Sequence, residues 1–434
     1  MNNYINVIGA GLAGVEAAHQ IAKAGINVKL YEMKPNKMSD AHKSTNFAEL
    51  ICSNSLKSAR FDSAAGLLKE EMRHFGSLLT DCAKQTKVPA GGALAVNRDD
   101  FSEMATKLIN ENPLIEVIHE EVNKIPQEAI TVIATGPLCA DNLAKEILDL
   151  CGGALSFFDA AAPIVTFESL DMTKCFKASR YGKGDDDYIN CPMNKEEYET
   201  FYAELVKGER AELHGCDVYN PKVYEGCMPV EVMGGRGENT LRFGPLKPVG
   251  LRDPRTGHRP WAVVQLRTEN SDFSLYNLVG FQTNLKFGEQ KRIFGLIPGL
   301  ENADFVRYGV MHRNTFIDSP KLLDEDYSFR KNKNIFFAGQ ITGVEGYMES
   351  ASSGILAGIN AVRRFKGQEN LTLPITTMMG ALANHVAKSE SKNFQPMGAN
   401  FGVIPPLDPH IRDKRERYMA LATRAIEDLK GCIS

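Results

Sequence analysis

The chain has 434 residues, of which 43% are hydrophobic and 24% charged, and its 50 basic and 54 acidic residues give a formal net charge of −4. This length exceeds that of a typical single domain, and the chain as a whole lacks the excess of positive charge seen in many nucleic-acid-binding proteins, so RNA binding would need a local basic surface. No apolar run approaches the roughly 20 residues of a membrane-spanning helix.

Targeting and cysteine patterns narrow the class further. The chain enters an apolar strand directly, without a basic leader or a small-residue cleavage site, which predicts a cytoplasmic protein that is not membrane-bound. Its nine cysteines are irregularly spaced and include no Cys-x-x-Cys pair. That pattern fits neither a disulfide framework nor a zinc site, so we expect reduced thiols and no bound metal.

The first elements form a βαβ unit. The pattern predicts a buried strand over 5–8, a tight turn over 9–14, a helix over 15–24 and a strand over 28–32. The turn reads V-I-G-A-G-L-A-G and the second strand ends in an acidic residue. Such glycines let the backbone approach a pyrophosphate at a helix N-terminus, and the acid accepts from the ribose hydroxyls. The predicted dinucleotide contacts are Gly9, Ala10, Gly11, Leu12, Ala13, Gly14 and Glu32.

The next segment departs from a plain mononucleotide-binding half. A polar loop over 33–46 and a cysteine-containing stretch over 47–57 precede a predicted helix over 64–75. A helix over 99–110 with an acidic cap and strand material over 115–118 and 121–125 follow. A short apolar strand over 131–135, ending in Ala-Thr-Gly, is expected to close the nucleotide-binding sheet.

From about residue 159 to residue 330 the pattern changes to short β-like runs rich in Gly and Pro, with one helix over 195–207. We interpret this region as an inserted α+β domain. The predicted fold is α/β: a Rossmann-like FAD-binding domain of the GR2 flavoprotein type with that insertion. The predicted domains are 1–160 (first part of the FAD-binding domain), 161–330 (substrate and RNA binding) and 331–434 (second part, with C-terminal helices).

A second glycine segment distinguishes FAD from NAD. It reads I-F-F-A-G-Q-I-T-G-V-E-G-Y-M-E-S-A-S-S-G, with a strand over 335–338, a turn, and a helix over 350–365. Dehydrogenases that bind only NAD lack this distant strand–turn–helix, so FAD is favoured. Tyr347 could stack on the flavin or simply pack. The predicted FAD contacts here are Gly339, Gln340, Gly343, Gly346 and Tyr347.

A basic run supplies the local charge that RNA binding needs. Between Arg236 and Arg267 there are seven basic residues against two acidic ones. Phosphate contacts supply most nonspecific RNA affinity, and Trp261 within the run could stack on a base or be buried. The alternative is a solvated charged loop. The candidate RNA contacts are Arg242, Lys247, Arg252, Arg255 and Arg259, and a second group could extend them: Lys286, Lys291, Arg292, Arg307 and Arg313.

Several longer motifs carry a family resemblance. They are V-I-G-A-G-L-A-G-V-E-A-A, A-E-L-I-C-S-N-S-L-K, Y-E-G-C-M-P-V-E-V-M, L-R-F-G-P-L-K-P-V-G-L, Q-T-N-L-K-F-G-E-Q-K-R-I-F, H-R-N-T-F-I and F-Q-P-M-G-A-N-F-G. Along essentially its whole length the chain resembles the folate- and FAD-dependent tRNA (uracil-5-)-methyltransferases, the TrmFO family. The related MnmG/GidA-type enzymes share the flavin halves but not the inserted-domain motifs. Phe287 and Gly398 depart from the family pattern.

The resemblance implies a reaction. The one-carbon unit of 5,10-methylenetetrahydrofolate passes to C5 of a uridine in the tRNA T-loop, reduced FAD supplies electrons, and NADPH or NADH reduces the flavin. Uridine C5 becomes nucleophilic once a thiolate adds at C6, so such an enzyme needs an accessible cysteine. Cys227 and Cys52 match the family's cysteine-bearing motifs. We favour Cys227 as nucleophile and Cys52 as base, with the reverse assignment open.

The resemblance also suggests a folate contact, His312, on the face of the pteridine away from the flavin; a structural histidine is the alternative. Glu225 and Glu231 are possible proton carriers, although solvated surface carboxylates are the more ordinary interpretation. Three other functions remain open. They are the same chemistry on a ribosomal RNA uridine, as in the paralogue RlmFO, a non-catalytic flavin-containing RNA-binding protein, and a pyridine-nucleotide oxidoreductase that acts on a small molecule.

Overall fold

The computed structural model of the chain describes residues 3–39, 41–126, 129–152, 155–160, 162–182, 185–211, 228–270, 272–309, 311–389, 394–409 and 411–433, with the backbone alone for 155–160 and 311–315.

The described residues form seventeen strands and thirteen α-helices. The strands are β1 (Tyr4–Ile8), β2 (Asn27–Glu32), β3 (Ser55–Ser58), β4 (Lys87–Val88), β5 (Ala93–Val96), β6 (Ile115–His119), β7 (Thr131–Ile133), β8 (Leu155–Ala160), β9 (Ile164–Thr166), β10 (Phe176–Lys177), β11 (Tyr188–Met193), β12 (Ala262–Thr268), β13 (Leu275–Leu278), β14 (Phe305–Arg307), β15 (Met311–Phe316), β16 (Ser328–Phe329) and β17 (Asn332–Phe337). The helices are α1 (Leu12–Lys23), α2 (Ala64–His74), α3 (Leu78–Gln85), α4 (Arg98–Asn110), α5 (Asp141–Cys151), α6 (Lys195–Lys207), α7 (Val230–Gly234), α8 (Thr240–Phe243), α9 (Phe287–Phe294), α10 (Ser319–Leu322), α11 (Tyr347–Phe365), α12 (Met378–Lys388) and α13 (Lys414–Ile433).

One sheet has six strands in the order β16-β17-β7-β1-β2-β6. The five strands from β17 to β6 are parallel, and β16 pairs antiparallel at the edge. Apolar runs buried on both faces suit a parallel sheet that helices cover on both sides. The arrangement confirms the predicted Rossmann-like α/β class, with β17 from the C-terminal part of the chain placed beside β7.

A second six-stranded sheet, in the order β10-β11-β12-β13-β9-β14, is antiparallel and has its own hydrophobic core with α6 and α9. We call this sheet with helices α6 to α9 the inserted unit. The chain leaves the parallel sheet through β8 and returns through β15, and these two strands pair antiparallel, with residue 311 opposite residue 160. The exact domain boundaries, at residues 160 and 330, stay predictions.

Helices α1 and α11 pack closely over the parallel sheet. A Cβ atom on Gly354 would overlap the carbonyl oxygen of Ala13, and one on Gly358 would lie 2.8 Å from the carbonyl oxygen of Ala17. The two backbones therefore approach as closely as they do because glycine occupies both positions. This contact connects the helix that follows the first glycine turn to the helix that follows the second.

Three local predictions were wrong. No strand forms over 121–125; the segment is a loop, and its first residues form part of a cavity wall. Helix α4 is capped by Asn97, whose side chain accepts from the amides of Asp99 and Asp100, rather than by an acid. The predicted starts of the two helices that follow the glycine turns were late, since α1 begins at Leu12 rather than 15 and α11 at Tyr347 rather than 350. In the part of the chain that the structure describes, no helix is long and apolar enough to span a membrane.

Candidate active site

A cavity of about 570 Å³ opens at the carboxyl ends of four parallel strands. Its walls include the residues that follow β1, β2, β7 and β17, and also the loops 48–57 and 120–122. Ligands of open α/β sheets bind outside these strand ends, and the volume lies in the range of about 300–1,000 Å³ found for small-molecule and cofactor sites. Both glycine turns therefore border a single cavity, and most of their predicted site residues line it.

The first glycine turn shows a separate role for each glycine. Gly9 has φ +98°, and a Cβ atom there would lie 2.6 Å from the carbonyl oxygen of Ala134. A Cβ atom on Gly14 would overlap the carbonyl oxygen of Gly9, whereas one on Gly11 would meet no protein atom within 4 Å. Gly9 and Gly14 thus serve the turn itself, and Gly11 leaves open space in front of the helix. Gly14 lies behind the cavity wall, whereas Gly9, Ala10, Gly11, Leu12 and Ala13 form part of it.

Glu32 lies at the end of β2, is 7% exposed and also lines the cavity. Its Oε2 accepts from the amide of Ala10 at 2.8 Å and its Oε1 from the amide of Lys34 at 3.0 Å. The carboxylate therefore connects the glycine turn to the loop after β2. Its predicted contact with a ribose stays a prediction.

The second turn is built in the same way. Gly339 has φ +85° and its amide donates to Ser353 Oγ at 2.7 Å, while Gln340 Nε2 donates to Glu345 Oε2 at 2.8 Å. Gly343 does not belong to the cavity lining, and a Cβ atom there would lie 2.5 Å from the ring of Phe394. Of the predicted residues in this turn, Gly339, Gln340, Gly346 and Tyr347 line the cavity.

Two helix N-termini border the same cavity. Helix α1 follows Gly11 and helix α11 follows Gly346, and neither has a capping side chain. The first amides of a helix have no partner within the helix, and together they carry a partial positive charge. The cavity is therefore suited to an elongated ligand with an anionic group at one or both of these ends.

Charged residues surround the α11 end of the cavity. Lys57, in an αL backbone conformation with φ +62°, donates from Nζ to Glu349 Oε1 at 2.6 Å. That carboxylate is 1% exposed and also accepts from the amide of Ala399 at 2.9 Å. Nearby, burial lowers the pKa of Lys69 to about 8, and its Nζ donates to the carbonyl oxygen of Leu56. Sequence patterns did not single out these residues.

The loop that contains Cys52 forms part of the cavity wall next to Tyr347. The amides of Cys52 and Ser53 donate to Tyr347 Oη at 2.7 and 3.1 Å. Burial raises the pKa of the Tyr347 hydroxyl, which therefore stays protonated at neutral pH. The predicted stacking of Tyr347 on a flavin is untested, but its hydroxyl has a second role in holding the cysteine loop.

Arginines hold the other side of this loop, and sequence patterns did not single them out for this role. Arg98 Nη1 donates to the carbonyl oxygens of Leu50 and Ile51, at 2.6 and 3.1 Å. Arg267 donates from Nε to Asn54 Oδ1 at 3.0 Å and from Nη2 to Ser53 Oγ at 2.8 Å. The sequence feature that could have indicated this role is the position of Arg98. A cation in the first turn of a helix opposes the helix dipole, so an arginine there suggests that another interaction holds it.

Four predicted residues are located only in part or lie outside the described residues. Cys227 falls within 212–227, outside the described residues, as does Glu225. His312 lies in β15 opposite Asp159, and its side chain, like that of Arg313, is outside the described part. Their roles stay predictions.

Some residues of the predicted RNA-binding run are exposed and form no ion pair among the described residues, whereas others contact carboxylate, carbonyl or aromatic groups of the protein. Lys247, Arg252 and Arg259 are exposed, and among the described residues no ion pair joins them to a carboxylate. Arg255 pairs with Asp253 at 2.7 Å and donates to the carbonyl oxygen of Thr173. Arg242 lies 3.7 Å from the ring centroid of Trp261 and donates to its carbonyl oxygen. The contiguous exposed charge is therefore smaller than the sequence count indicated.

Two interpretations were wrong. Arg267, counted in the basic run, is 7% exposed and turned toward the Cys52 loop, because it lies in a strand with both faces covered. Glu231, interpreted as a surface carboxylate, is 0% exposed, accepts from Thr283 Oγ1 and the amide of Asn284, and has its pKa raised by burial. In addition, Arg242 covers one face of Trp261, which is only partly exposed, so that face does not offer a free stacking surface.

The second basic group is also largely engaged. Lys286 pairs with Glu209 at 2.8 Å, and Arg292 pairs with Glu204 at 2.5 Å and Glu289 at 2.8 Å. Arg307 is partly exposed, and burial lowers its pKa. Lys291 is exposed. Within the described ranges, no three His, Cys, Asp or Glu residues come together as a possible metal site.

Comparison with known proteins gives a consistent picture. Residues 4–369 match the family model described as glucose inhibited division protein A. The chain is 62% identical over its full length to 99% of the methylenetetrahydrofolate–tRNA-(uracil-5-)-methyltransferase TrmFO of Acetivibrio thermocellus. It is 61% identical over 98% of its length to 97% of the protein of that name from Desulfitobacterium hafniense.

Solved structures show the same fold at much lower identity. Aquifex aeolicus GidA in its form I crystal superposes with a TM-score of 0.69 at 16% identity, covering 98% of this chain and 76% of that one. The form II crystal gives 0.68 over 98% and 73%. The fold is therefore that of GidA, and the sequence similarity to the TrmFO enzymes extends along the whole chain.

Proposed function

The chain belongs to the glucose inhibited division protein A family and, within it, to the TrmFO enzymes, and we propose on that premise that it is a cytoplasmic, FAD-dependent methyltransferase. Its substrates are 5,10-methylenetetrahydrofolate and a uridine in the T-loop of tRNA, and its product is 5-methyluridine. NADPH or NADH serves as the reductant.

The cavity fits FAD by the criteria that its own residues provide. Helices α1 and α11 present uncapped N-termini to it, and the open space at Gly11 leaves room for a pyrophosphate. Glu32, Gly339 and Gly346 line the same cavity, which supports assigning Glu32 to the ribose and the second turn to the flavin end. When bound, reduced FAD supplies the electrons that convert the transferred one-carbon unit to a methyl group.

One observation carries the methyltransferase assignment beyond a generic flavoprotein. Cys52 lies in the wall of the same cavity as the two helix N-termini, and Tyr347, the first residue of α11, holds its loop. A thiol at this position can reach a substrate that is bound against the flavin. An enzyme that only transferred a hydride from a nicotinamide cofactor would not need it.

In the proposed chemistry the two cysteines act in sequence. The Cys227 thiolate adds to C6 of the uridine, which makes C5 a nucleophile; C5 then bonds to the one-carbon unit, and the nitrogen that carried this carbon leaves as an amine. The Cys52 thiolate removes the C5 proton, the hydride equivalent that reduced FAD would supply completes the methyl group, and the C6–S bond breaks to release the Cys227 thiolate. His312 contacts the folate, and the exposed residues Lys247, Arg252 and Arg259 contact RNA phosphates.

The test is a labelling assay with the purified holoenzyme. It is incubated with labelled methylenetetrahydrofolate, NADPH or NADH, and unmodified transcripts of either tRNA or ribosomal RNA. We expect label in 5-methyluridine of the tRNA alone. Label only in the ribosomal transcript would favour the paralogous reaction, and label in neither would overturn the methyltransferase assignment. Omitting the nicotinamide cofactor, or exchanging NADPH for NADH, identifies the reductant.

A further inference from the structure

The loop that contains Cys52 is held in place from outside the cavity by charged residues from two other parts of the chain. Arg98, the first residue of α4, donates to two consecutive carbonyl oxygens of the loop, those of Leu50 and Ile51. Its Nε pairs with Glu269 Oε2 at 2.5 Å. Glu269 directly follows β12 of the inserted unit, so one arginine connects the cysteine loop to that unit.

A second connection runs parallel to the first. Asn54, which is fully buried, donates to the carbonyl oxygens of Val96 and Thr268, at 3.0 and 2.9 Å, and accepts from Arg267 Nε. Arg267 and Thr268, the last two residues of β12, therefore contact the Cys52 loop through three hydrogen bonds, and Glu269 reaches the loop through Arg98. The described backbone of the loop is thereby set by the position of the inserted unit.

Burying the ion pair between Arg98 and Glu269 costs desolvation free energy. The Arg98 and Glu269 side chains are 14% and 4% exposed, and taking both charges out of water costs several kcal/mol per ion before their attraction is counted. Burial opposes the charge of Arg98, but Glu269 raises its pKa overall. Glu269 also accepts from Asn277 Nδ2, so its second oxygen is satisfied. A buried ion pair is by itself weak evidence that the pair stabilises the fold. Its geometry does, however, set the position of the loop carbonyl groups that Arg98 contacts.

We propose that Arg98 and Glu269 are positioning residues that fix the Cys52 thiol relative to the inserted unit, which carries the predicted RNA-binding residues. This inference rests on the proposed function, because it assumes that Cys52 takes part in the reaction. Neither residue lines the cavity. The pair therefore acts on the thiol through the loop backbone and leaves the cofactor contacts unchanged.

The experiment compares the holoenzymes of wild type, Arg98→Lys and Glu269→Gln. Lysine keeps the charge but lacks the planar fork that contacts two carbonyls and a carboxylate together. We expect kcat for methylation to fall at least about tenfold in both variants, because a displacement of the reacting group by about 1 Å can cost that much or more. The KM for tRNA and folate and the FAD content should stay within about twofold, since neither side chain is proposed to contact a ligand.

A matched control is Asp62→Asn. This carboxylate is 8% exposed and pairs with Arg60 at 2.6 Å, but it has no contact with the Cys52 loop. It should leave kcat within about twofold of wild type, as expected for an ion pair that has one exposed partner. Unchanged kcat in both Arg98→Lys and Glu269→Gln, or a loss of FAD in proportion to the loss of kcat, would overturn the proposal.

A second measurement does not depend on methylation and therefore separates this proposal from the proposed function. The rates of iodoacetamide alkylation of Cys52 and of Cys432, a half-buried thiol near the C-terminus, are measured by mass spectrometry of the same holoenzyme sample. Loosening the loop should raise the Cys52-to-Cys432 ratio several-fold in Arg98→Lys, because local opening exposes only the loop. An unchanged ratio contradicts the positioning role, even if the wild-type enzyme methylates no RNA.

Discussion

Tyr347 combines two functions that belong to different parts of its side chain. Its ring lines the cavity where the flavin is proposed to lie, and its hydroxyl accepts the amides of Cys52 and Ser53. A phenylalanine would keep the ring and remove the acceptor. The position therefore allows the support of the cysteine loop to be tested separately from any stacking on the cofactor.

Tyr347→Phe should lower methylation about tenfold and leave FAD content near the wild-type value. Two loop amides would lose their acceptor, and a buried donor without a partner costs about 1–3 kcal/mol, which the loop can avoid by moving. Steady-state methylation kinetics and the FAD-to-protein absorbance ratio measure the two effects. If FAD content fell as much as the rate, the hydroxyl would support cofactor binding, and the loss of rate could not be assigned to the cysteine loop alone.

Cys227→Ala should abolish methylation, with a loss of at least about a thousandfold, because no other group is proposed to add to C6. FAD content should not change. The matched control is Cys432→Ala, which removes a partly exposed thiol distant from the cavity and should keep full activity. Near-normal methylation by Cys227→Ala with flavin bound would transfer the nucleophilic role to Cys52.

At the scale of elements, the two strand–turn–helix units share one design. Each strand is followed within two residues by a glycine with positive φ, Gly9 or Gly339, and each helix begins without a capping side chain, after Gly11 or Gly346. Periodicity and glycine spacing were enough to predict both units. The separate roles of the glycines were not predictable, because they depend on which atoms a Cβ at each position would contact.

Gly11→Ala and Gly14→Ala should therefore differ. At Gly11 the methyl group meets no protein atom within 4 Å, so we expect normal folding but FAD binding at least about tenfold weaker, since the methyl would fill the space of the pyrophosphate. At Gly14 the methyl overlaps the Gly9 carbonyl oxygen, so the apoprotein should also be destabilised. Melting of the apoproteins and FAD titration distinguish the two. Tight FAD binding by Gly11→Ala would argue against this placement of the pyrophosphate.

The contact between α1 and α11 gives a second test at this scale. Gly354→Ala should destabilise the protein by about 1–3 kcal/mol, because its Cβ atom would overlap Ala13 and the two helices would have to separate. Gly431→Ala in α13, where the added atom meets open space, should be neutral or slightly stabilising. Urea unfolding of both variants measures the difference, and equal stabilities would show that the helix contact is more adaptable than it looks.

At the scale of the whole molecule, buried carboxylates connect helices that are distant in sequence. Glu16 of α1 accepts from Ser77 Oγ and the amide of Leu79 at the start of α3. Glu71 of α2 accepts from the amides of Met378 and Met379 at the start of α12, at 2.7 and 2.8 Å. Burial raises the pKa of Glu16 to about 7 and that of Glu71 to about 8.

These shifts predict that stability decreases as the pH rises. In the unfolded chain such carboxyls ionise near pH 4.5, whereas the folded protein holds the Glu71 proton until about pH 8. The folded state therefore binds more protons between these values, and the free energy of unfolding falls by up to about 1.4 kcal/mol per pH unit for each group. The contribution is complete below pH 4.5 and lost above pH 8.

Glu71→Gln should reduce the slope, since glutamine does not titrate, and leave the part of the slope that Glu16 contributes. Urea unfolding at pH 5, 6, 7 and 8 measures the slope, and Glu70→Gln, which replaces a neighbouring, partly exposed carboxylate of α2, should retain the wild-type slope. Parallel curves for Glu71→Gln and wild type would mean that the Glu71 carboxylate is already ionised in the folded protein.

The sequence by itself was sufficient for the features that depend on local spacing. The parallel sheet, the two glycine turns, helix α6 and the α/β class follow from periodicity and from the glycine positions, and the motifs alone carry the family resemblance. These features are encoded within segments of about 5–20 residues, where local sterics and amphipathic period dominate.

Only the tertiary structure decided which side chains meet. Arg98, Asn54 and Glu269 are far apart in sequence, and Arg267 appeared to belong to a solvent-exposed basic run until its strand was found to be covered on both faces. Burial and pairing of a charge depend on elements contributed by the rest of the chain. The sequence near a residue does not show which distant residues will contact it. The contacts of Arg98 and Arg267 with the Cys52 loop could therefore not be predicted from spacing.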